Sequence, residues 1–278
     1  MPRVLLAVDL SNQVYKAAAA HSTLTDAEGT FTGGLYGFLV TIAKIIRDVH
    51  ATDCVICMDS KPYRRSLVYP QYKMLRKDSQ DPELKKRFDI SKPQVIEACE
   101  VIGIPFLERP GFECDDCIAS IVLQHACRYD EIYAASNDSD LWQLFHTPWF
   151  KVYRRDLNDC MHLDALRREH GLTPEEFLLA SALQGTHNEV EGIKGVGPKT
   201  SARIVKEPAL LRTYMERHGD LIKRNLSLIT LPHHEFPAIR AVPAPTQSFD
   251  VRSLYRFLAR WDIKATQSML DSFSRVCP

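Results

Sequence analysis

Two apolar runs of this chain each stop on an aspartate: Val4-Leu5-Leu6-Ala7-Val8 leads into Asp9, and Val55-Ile56-Cys57-Met58 into Asp59. Short, bounded, β-rich runs of this kind read as buried strands. Similar runs recur at 104–107, 131–135 and 150–153, with helix-period segments at 35–49, 92–101, 117–127 and 141–145 between them. Parallel neighbours need long crossovers, so this alternation predicts an α/β fold with a mainly parallel central sheet flanked by helices. Ligands of such sheets gather beyond the carboxyl ends of the strands. Asp9 and Asp59 fall there, as does the pair in Asp138-Ser139-Asp140 after the fourth run.

A denser set of acids lies in Gly111-Phe112-Glu113-Cys114-Asp115-Asp116. Taken singly, each acid has a plain reading: strand-end caps at Asp9 and Asp59, a charged helix start at Asp115 and Asp116, a turn at Asp138. Together they bring carboxylates from four segments towards one place, and carboxylates so gathered repel one another unless a cation sits among them. An oxygen-only set favours Mg²⁺ or Mn²⁺. Asp9, Asp59, Glu113, Asp115 and Asp116 are expected to hold a first ion, with Asp138 and Asp140 serving a second or bridging the two. Such a pair of ions suits in-line displacement at a phosphodiester.

At 278 residues and 45% hydrophobic content the chain can bury one large core or two modest ones, and its 35 basic and 35 acidic residues point to no partner by global charge. The start, Met1-Pro2-Arg3 and then five apolar residues before Asp9, is too short for a signal peptide, and no apolar run suggests a membrane span. A soluble, cytoplasmic protein is expected. Two CxxC pairs, Cys54/Cys57 and Cys114/Cys117, suggest zinc on paper. Odd spacing on a strand sends the first pair to opposite faces, and the gap between the pairs is far too long for a zinc module, so reduced, buried thiols are expected.

Between the second run and the next helix lies a basic, aromatic stretch, Lys61-Pro62-Tyr63-Arg64-Arg65 and then Tyr69-Pro70-Gln71-Tyr72-Lys73-Met74-Leu75-Arg76-Lys77. Cations interleaved with rings suit a single nucleic-acid strand. Farther on, Gly192-Ile193-Lys194-Gly195-Val196-Gly197-Pro198-Lys199-Thr200 combines glycines, a proline placed to start a helix, a lysine and a hydroxyl. It departs from P-loop spacing and has the form of a helix-hairpin-helix that grips a duplex backbone. Composition shifts near residue 170, predicting an α/β domain over 1–170, with the basic segment at about 61–90, and a helical DNA-binding region over 171–278 with its hairpin at about 177–206.

With these elements in chain order, the sequence resembles the 5′-nuclease (flap endonuclease) family, whose relatives include bacteriophage 5′–3′ exonucleases and the 5′-nuclease domain of bacterial DNA polymerase I. The acid pattern G-x-E-A-D-D is matched by Gly111 to Asp116 with Cys114 at the alanine, and T-D-x-D by Asn137-Asp138-Ser139-Asp140. Thr32-Gly33-Gly34-Leu35-Tyr36-Gly37-Phe38 looks like the family's small-residue turn, and Arg65, Tyr72, Lys73 and Arg76 match its R…Y-K-x-x-R arch pattern. The resemblance implies a PIN-like α/β domain, a helical arch and a C-terminal helix-3-turn-helix. It further implies Lys73 and Arg76 at the scissile phosphate, and Gly33, Gly34, Arg65 and Tyr72 at the nucleic acid, with Tyr72 stacking on its end. Gly192, Gly195, Gly197, Lys199 and Thr200 would lie on the duplex, where hairpin carbonyls would also hold K⁺. The implied activity is divalent-metal-dependent 5′–3′ exonuclease and flap endonuclease cleavage of DNA at 5′ ends, flaps and junctions, by a monomer.

One departure weakens the second metal site. Where the family reads G-D-x-x-D-N before the hairpin, this chain reads Gly185-Thr186-His187-Asn188-Glu189-Val190, and at least one carboxylate is lost in either alignment. Glu189 or Glu191 is left as a partial substitute. Two rival readings follow: removal of RNA from RNA/DNA hybrids in the manner of RNase H, and a catalytically weak branched-DNA binding protein. The length, without an attached polymerase, points to a bacterial cell or a phage-infected host.

Overall fold

The structure, a computed structural model, describes residues 2–73, 81–186 and 190–278. In chain order its elements are β1 (Val4–Asp9), α1 (Leu10–Ala20), α2 (Gly33–Asp48), β2 (Asp53–Cys57), α3 (Arg65–Val68), α4 (Pro82–Ile102), β3 (Phe106–Leu107), α5 (Cys114–His125), β4 (Glu131–Ala135), β5 (Phe150–Tyr153), β6 (Cys160–Met161) and α6 (Leu163–His170). They continue as α7 (Pro174–Gln184), β7 (Gly185–Thr186), β8 (Val190–Glu191), α8 (Pro198–Lys206), α9 (Pro208–Ile229), α10 (Val251–Ala259) and α11 (Gln267–Val276).

The main sheet has the order β3-β2-β1-β4-β5-β6 and is parallel except for β6. β1 is buried along its whole length, which is why its sequence is continuously apolar rather than alternating. From β1 the chain winds outward through β2 to β3, then returns to β4 on the other side of β1. The order therefore reverses between β1 and β4, and a crevice opens at their carboxyl ends. β3 is shorter than expected because Pro105, which has no amide hydrogen, contributes only its carbonyl to Ile56 at 2.9 Å.

Alternate residues of each strand feed two different cores. Leu6, Val8, Cys54 and Ile56 join α1, α2 and α4 on one side, whereas Leu5, Ala7, Val55 and Cys57 join α5 on the other. The expected separation of Cys54 from Cys57 is borne out. Helix α1 had no counterpart among the expected helices, although Leu10, Val14, Ala17 and Ala18 form an ordinary buried stripe. Helix α4 runs from Pro82 rather than 92, with Asp81 as its cap and Pro93 inside it, so the far half of the expected arch segment is regular helix. The expected 141–145 helix is a 3₁₀ segment, Ser139–Leu144.

A third core joins α7, α8 and α9 through Leu183, Ile193, Val196, Ile204, Ile222 and Leu228. The helical region does not continue as one unit to the end of the chain. Leu254, Phe257 and Leu258 of α10 and Phe273 of α11 bury themselves against α2 and α4, so residues 250–277 return to the α/β core. The i, i+3, i+4 stripe on α10 would otherwise stand in water. Among the described residues no helix is long and apolar enough to cross a membrane.

Candidate metal centre

Asp9 ends β1 and caps α1 at once: one carboxylate oxygen accepts the Asn12 amide at 3.0 Å and the other the Ser136 hydroxyl at 3.0 Å. Ser136 follows β4, and its hydroxyl also receives the Asp138 amide at 3.1 Å, so the switch point is laced across by one serine. Asp59, two residues beyond β2, accepts from Ser11 at 2.9 Å and from the Cys114 amide at 3.2 Å, which ties α5 to the same crevice. Asp115 stands in the first turn of α5. Asp138 caps the 3₁₀ segment through the Asp140 amide at 2.9 Å, and Asp140 lies half-buried beside it.

These carboxyls feel one another. Burial, followed by the Asp59 and Asp138 charges, pushes the Asp9 carboxyl up to about 6 against the help of the Asn12 amide. Burial, then Asp138 and Asp9, holds Asp115 well above the usual carboxylate range. One Asp115 oxygen, Oδ1, is shut off from solvent and has no hydrogen-bond partner among the described residues. An orphaned carboxylate oxygen is costly to bury. Asp9 and Asp115 each place an oxygen within 4.8 Å of the other and of the Cys114 sulfur. A hard divalent ion fits the two carboxylates of this set and would relieve both the repulsion and the orphan oxygen. Lys16 of α1 adds the nearby cation: burial lowers its pKa while Asp9 raises it, and its amine donates to Asn137 at 3.2 Å.

Glu113 and Asp116 do not join this set. Asp116 is 0% exposed, and its two oxygens receive paired bonds from the Arg65 guanidinium at 2.5 and 2.7 Å, the Glu113 amide at 3.1 Å and the His233 amide at 2.7 Å. Four donors leave it no position for an ion. Glu113 is held by Arg65 at 3.0 Å, by the Tyr72 hydroxyl at 2.8 Å and by the Lys73 amine. The structure thus places these two expected ligands in a network with Arg65, apart from the Asp9–Asp115 group. Asp115 and Asp116, adjacent in α5, are turned about 100° apart, and Glu113 stands just before the helix.

Arg65 and Tyr72 change role for the same reason. Arg65 is 2% exposed and also donates to the Leu228 carbonyl at 2.6 Å, so it is a buried counter-ion rather than a substrate contact. Burial works against its charge, but the Asp116 hydrogen bonds and charge outweigh burial and raise its pKa. Tyr72 is 8% exposed and packs into the third core, which leaves no ring face for stacking. Lys73 stands at the edge of this network with a left-handed backbone, φ +57°, above the Tyr63 and Tyr72 rings. Gly33 and Gly34 are buried too. A Cβ at Gly33 would lie 2.0 Å from the His21 carbonyl, and one at Gly34 2.1 Å from the Ser91 hydroxyl, so they serve close helix packing rather than nucleic acid.

The expected hairpin segment, 192–200, joins β8 to the start of α8. Ile193 and Val196 are buried and pin the turn, while Lys194, Gly195, Gly197 and Lys199 face outward and Thr200 is half-buried. Gly195 has φ +82° and Pro198 opens α8. At Gly192 a Cβ would meet the Gln184 carbonyl at 2.1 Å, so the hairpin closes tightly on α7. Arg76 and Glu189 lie outside the described residues, as do His187 and Asn188; Glu191 is exposed on β8. Sequence reasoning overlooked Ser11, Lys16 and Ser136. The polar run Asp9-Leu10-Ser11-Asn12, a helix-capping pattern directly after a strand, was the available signal for the first of them.

The family of 5′-3′ exonuclease N-terminal resolvase-like domains matches residues 4–171. The chain belongs to that 5′–3′ exonuclease family. It is 29% identical over 227 residues to DNA polymerase I of Mycobacterium tuberculosis, a match covering 77% of this chain and 25% of that polymerase. The chain thus spans about a quarter of the length of such relatives. A 5′-3′ exonuclease of Aquifex aeolicus is also 29% identical, over 74% of this chain and 70% of its own length. In fold, the chain is similar to a flap endonuclease of bacteriophage T5 in a pseudo-enzyme-product complex with DNA and metal ions: TM-score 0.70, 21% identity, 98% of this chain and 99% of that one.

Proposed function

We propose that this chain is a divalent-metal-dependent, structure-selective 5′–3′ exonuclease and flap endonuclease that hydrolyses DNA phosphodiesters at 5′ ends and junctions. The observation that carries the reading is the meeting of Asp9, Asp59, Asp115 and Asp138 at the β1/β4 switch point, with an oxygen of Asp115 left unpartnered. These four, with Asp140 beside them, would hold Mg²⁺ or Mn²⁺. Divalent ions bound here would supply an acidified water and neutralise charge on the phosphodiester. Lys73, whose amine pairs with Glu113 and whose charge is felt by Asp115, stabilises charge on the transferring phosphate together with Arg76. The exposed hairpin amides around Gly195 and Gly197, with Lys199 and Thr200, hold duplex backbone at the α8 N-terminus without reading sequence. K⁺ bound by hairpin carbonyls would assist that grip. The protein acts as a monomer in the cytoplasm of a bacterial cell or phage-infected host.

Cleavage of a 5′-flap substrate with Mg²⁺, with Mn²⁺ and with EDTA tests the proposal. Asp115→Asn is expected to abolish metal-dependent cleavage and keep duplex affinity. Wild-type turnover by that variant would sink the assignment. A second reading, a branched-DNA binder with weak cleavage, draws support from the engagement of Glu113 and Asp116 by Arg65 and from the lost carboxylates before the hairpin. Binding without cleavage under every metal would favour it. An all-RNA 5′ strand in the same assay separates hybrid removal from DNA cleavage, since backbone contacts alone do not choose between them.

A further inference from the structure

We propose that Cys114 turns the metal centre of this chain into a mixed oxygen–sulfur site, which captures thiophilic divalent ions such as Zn²⁺, Co²⁺ and Cd²⁺ in competition with Mg²⁺. The inference rests on the carboxylates being a metal site, as argued above, and deepens that reading. The family pattern has alanine where this chain has Cys114, so the sulfur is an addition to an otherwise hard donor set. It is also well placed. Cys114 is 2% exposed, and its sulfur lies within 4.8 Å of a carboxylate oxygen of Asp9 and of one of Asp115.

Donor atoms sharing one ion at about 2.0–2.3 Å each are separated by at most about 4.5 Å, so these three need only a small approach to meet around a single ion. The orphaned oxygen of Asp115 independently marks the spot as short of a partner. The zinc reading based on CxxC spacing fails for a different reason: Cys54 faces the opposite core. What the fold supplies instead is one thiol, hydrogen-bonded to Cys57 in a contact that favours its protonated form, beside the Asp9 carboxylate from the end of β1 and that of its own neighbour Asp115 in α5.

Oxygen ligands suit Mg²⁺, whereas thiolate selects softer ions. As the metal–sulfur bond forms, the Sγ–H bond breaks and its proton passes to solvent, with no change of oxidation state. An ion held this way would leave only on a slower exchange with Mg²⁺. Nuclease activity would then be silenced by Zn²⁺ or Cd²⁺ at concentrations that an alanine variant tolerates.

The test loads the full-length chain with Co²⁺ and records its absorption, comparing wild type with Cys114→Ala, Cys114→Ser and Cys57→Ala. A sulfur-to-cobalt charge-transfer band in wild type and in Cys57→Ala, absent from both Cys114 variants, is the expected result. Titration calorimetry should show Cd²⁺ bound about tenfold or more tightly by wild type than by Cys114→Ala. Co²⁺ binding to wild type without the band, or a band that survives in Cys114→Ala, overturns the proposal and leaves the carboxylate site standing. Failure of wild type to bind Co²⁺, Mn²⁺ or Mg²⁺ at all would instead remove the metal site itself, and this inference with it. The serine variant, close to cysteine in size, covers the case in which alanine impairs folding.

Discussion

Replacing Arg65 with methionine should unfold this protein more readily rather than merely weaken its hold on nucleic acid. The Arg65 side chain is 3% exposed, and its partners Asp116 and Glu113 are 0% and 4% exposed. Removing one member of a buried ion pair leaves the other charge in a poorly solvating interior, at a cost of about 3–5 kcal/mol. The Leu228 carbonyl loses its guanidinium donor as well. Against this, Asp116 keeps the Glu113 and His233 amides, and Glu113 keeps Tyr72 and Lys73. The lower end, about 3 kcal/mol, is therefore expected. For a chain of this size that corresponds to a fall in Tm of roughly 6–12 °C. Urea unfolding of wild type, Arg65→Met, Asp116→Asn and the double variant, all without metal, measures it. The double variant should recover part of the loss, because the Asp116 charge is removed with its partner and the remaining buried carboxylate, Glu113, keeps Lys73 and Tyr72. Stability within about 1 kcal/mol of wild type, combined with weakened DNA binding, would refute the reasoning and return Arg65 to the substrate.

Three further outcomes follow from the same geometry. Asp9 has its folded pKa raised from 3.8 to about 6, so its contribution is fully favourable below 3.8 and is lost as pH rises through 6. The difference is worth about 3 kcal/mol. Asp9→Asn should accordingly be more stable than wild type without metal at pH 8, with the gap closing towards pH 4 in urea titrations, and it should bind Mn²⁺ far more weakly. Lys73→Ala should lower the single-turnover cleavage rate much more than it lowers affinity, the mark of a group acting on the transition state; equal losses would assign it to binding. Lys199→Ala should weaken duplex binding uniformly across sequences and reduce the salt slope by about 1, read from filter binding at several ionic strengths.

The sheet and its carboxylates were legible because strand burial and strand ends leave direct marks in sequence. Continuous apolar runs gave β1, β2, β4 and β5, and the acids following three of them converge as parallel topology requires. The pairing of the remaining acids was not legible. Glu113, Asp115 and Asp116 are equivalent in composition, and their fates separate only through the helical turn that points Asp115 inward and gives Asp116 to Arg65. Nor does a run of cations announce which arginine will be buried, since that depends on α9 closing over it. Helix α1 was hidden behind Asp9, whose second role as its cap reads only as the end of a strand. The first ten residues of α4 were missed, whereas the apolar stripe of Leu254, Phe257, Leu258 and Trp261, which reads as a helix packing back on the core, does so around α10.

The most direct test of the account is the anomalous density of a crystal soaked in Mn²⁺. Ions are expected at the β1/β4 crevice, bonded at about 2.1 Å to Asp115 and Asp9, with Arg65 still closed on Asp116. Manganese bound instead to Asp116 and Glu113 with Arg65 displaced, or absent from the crevice under conditions that support cleavage, would contradict it.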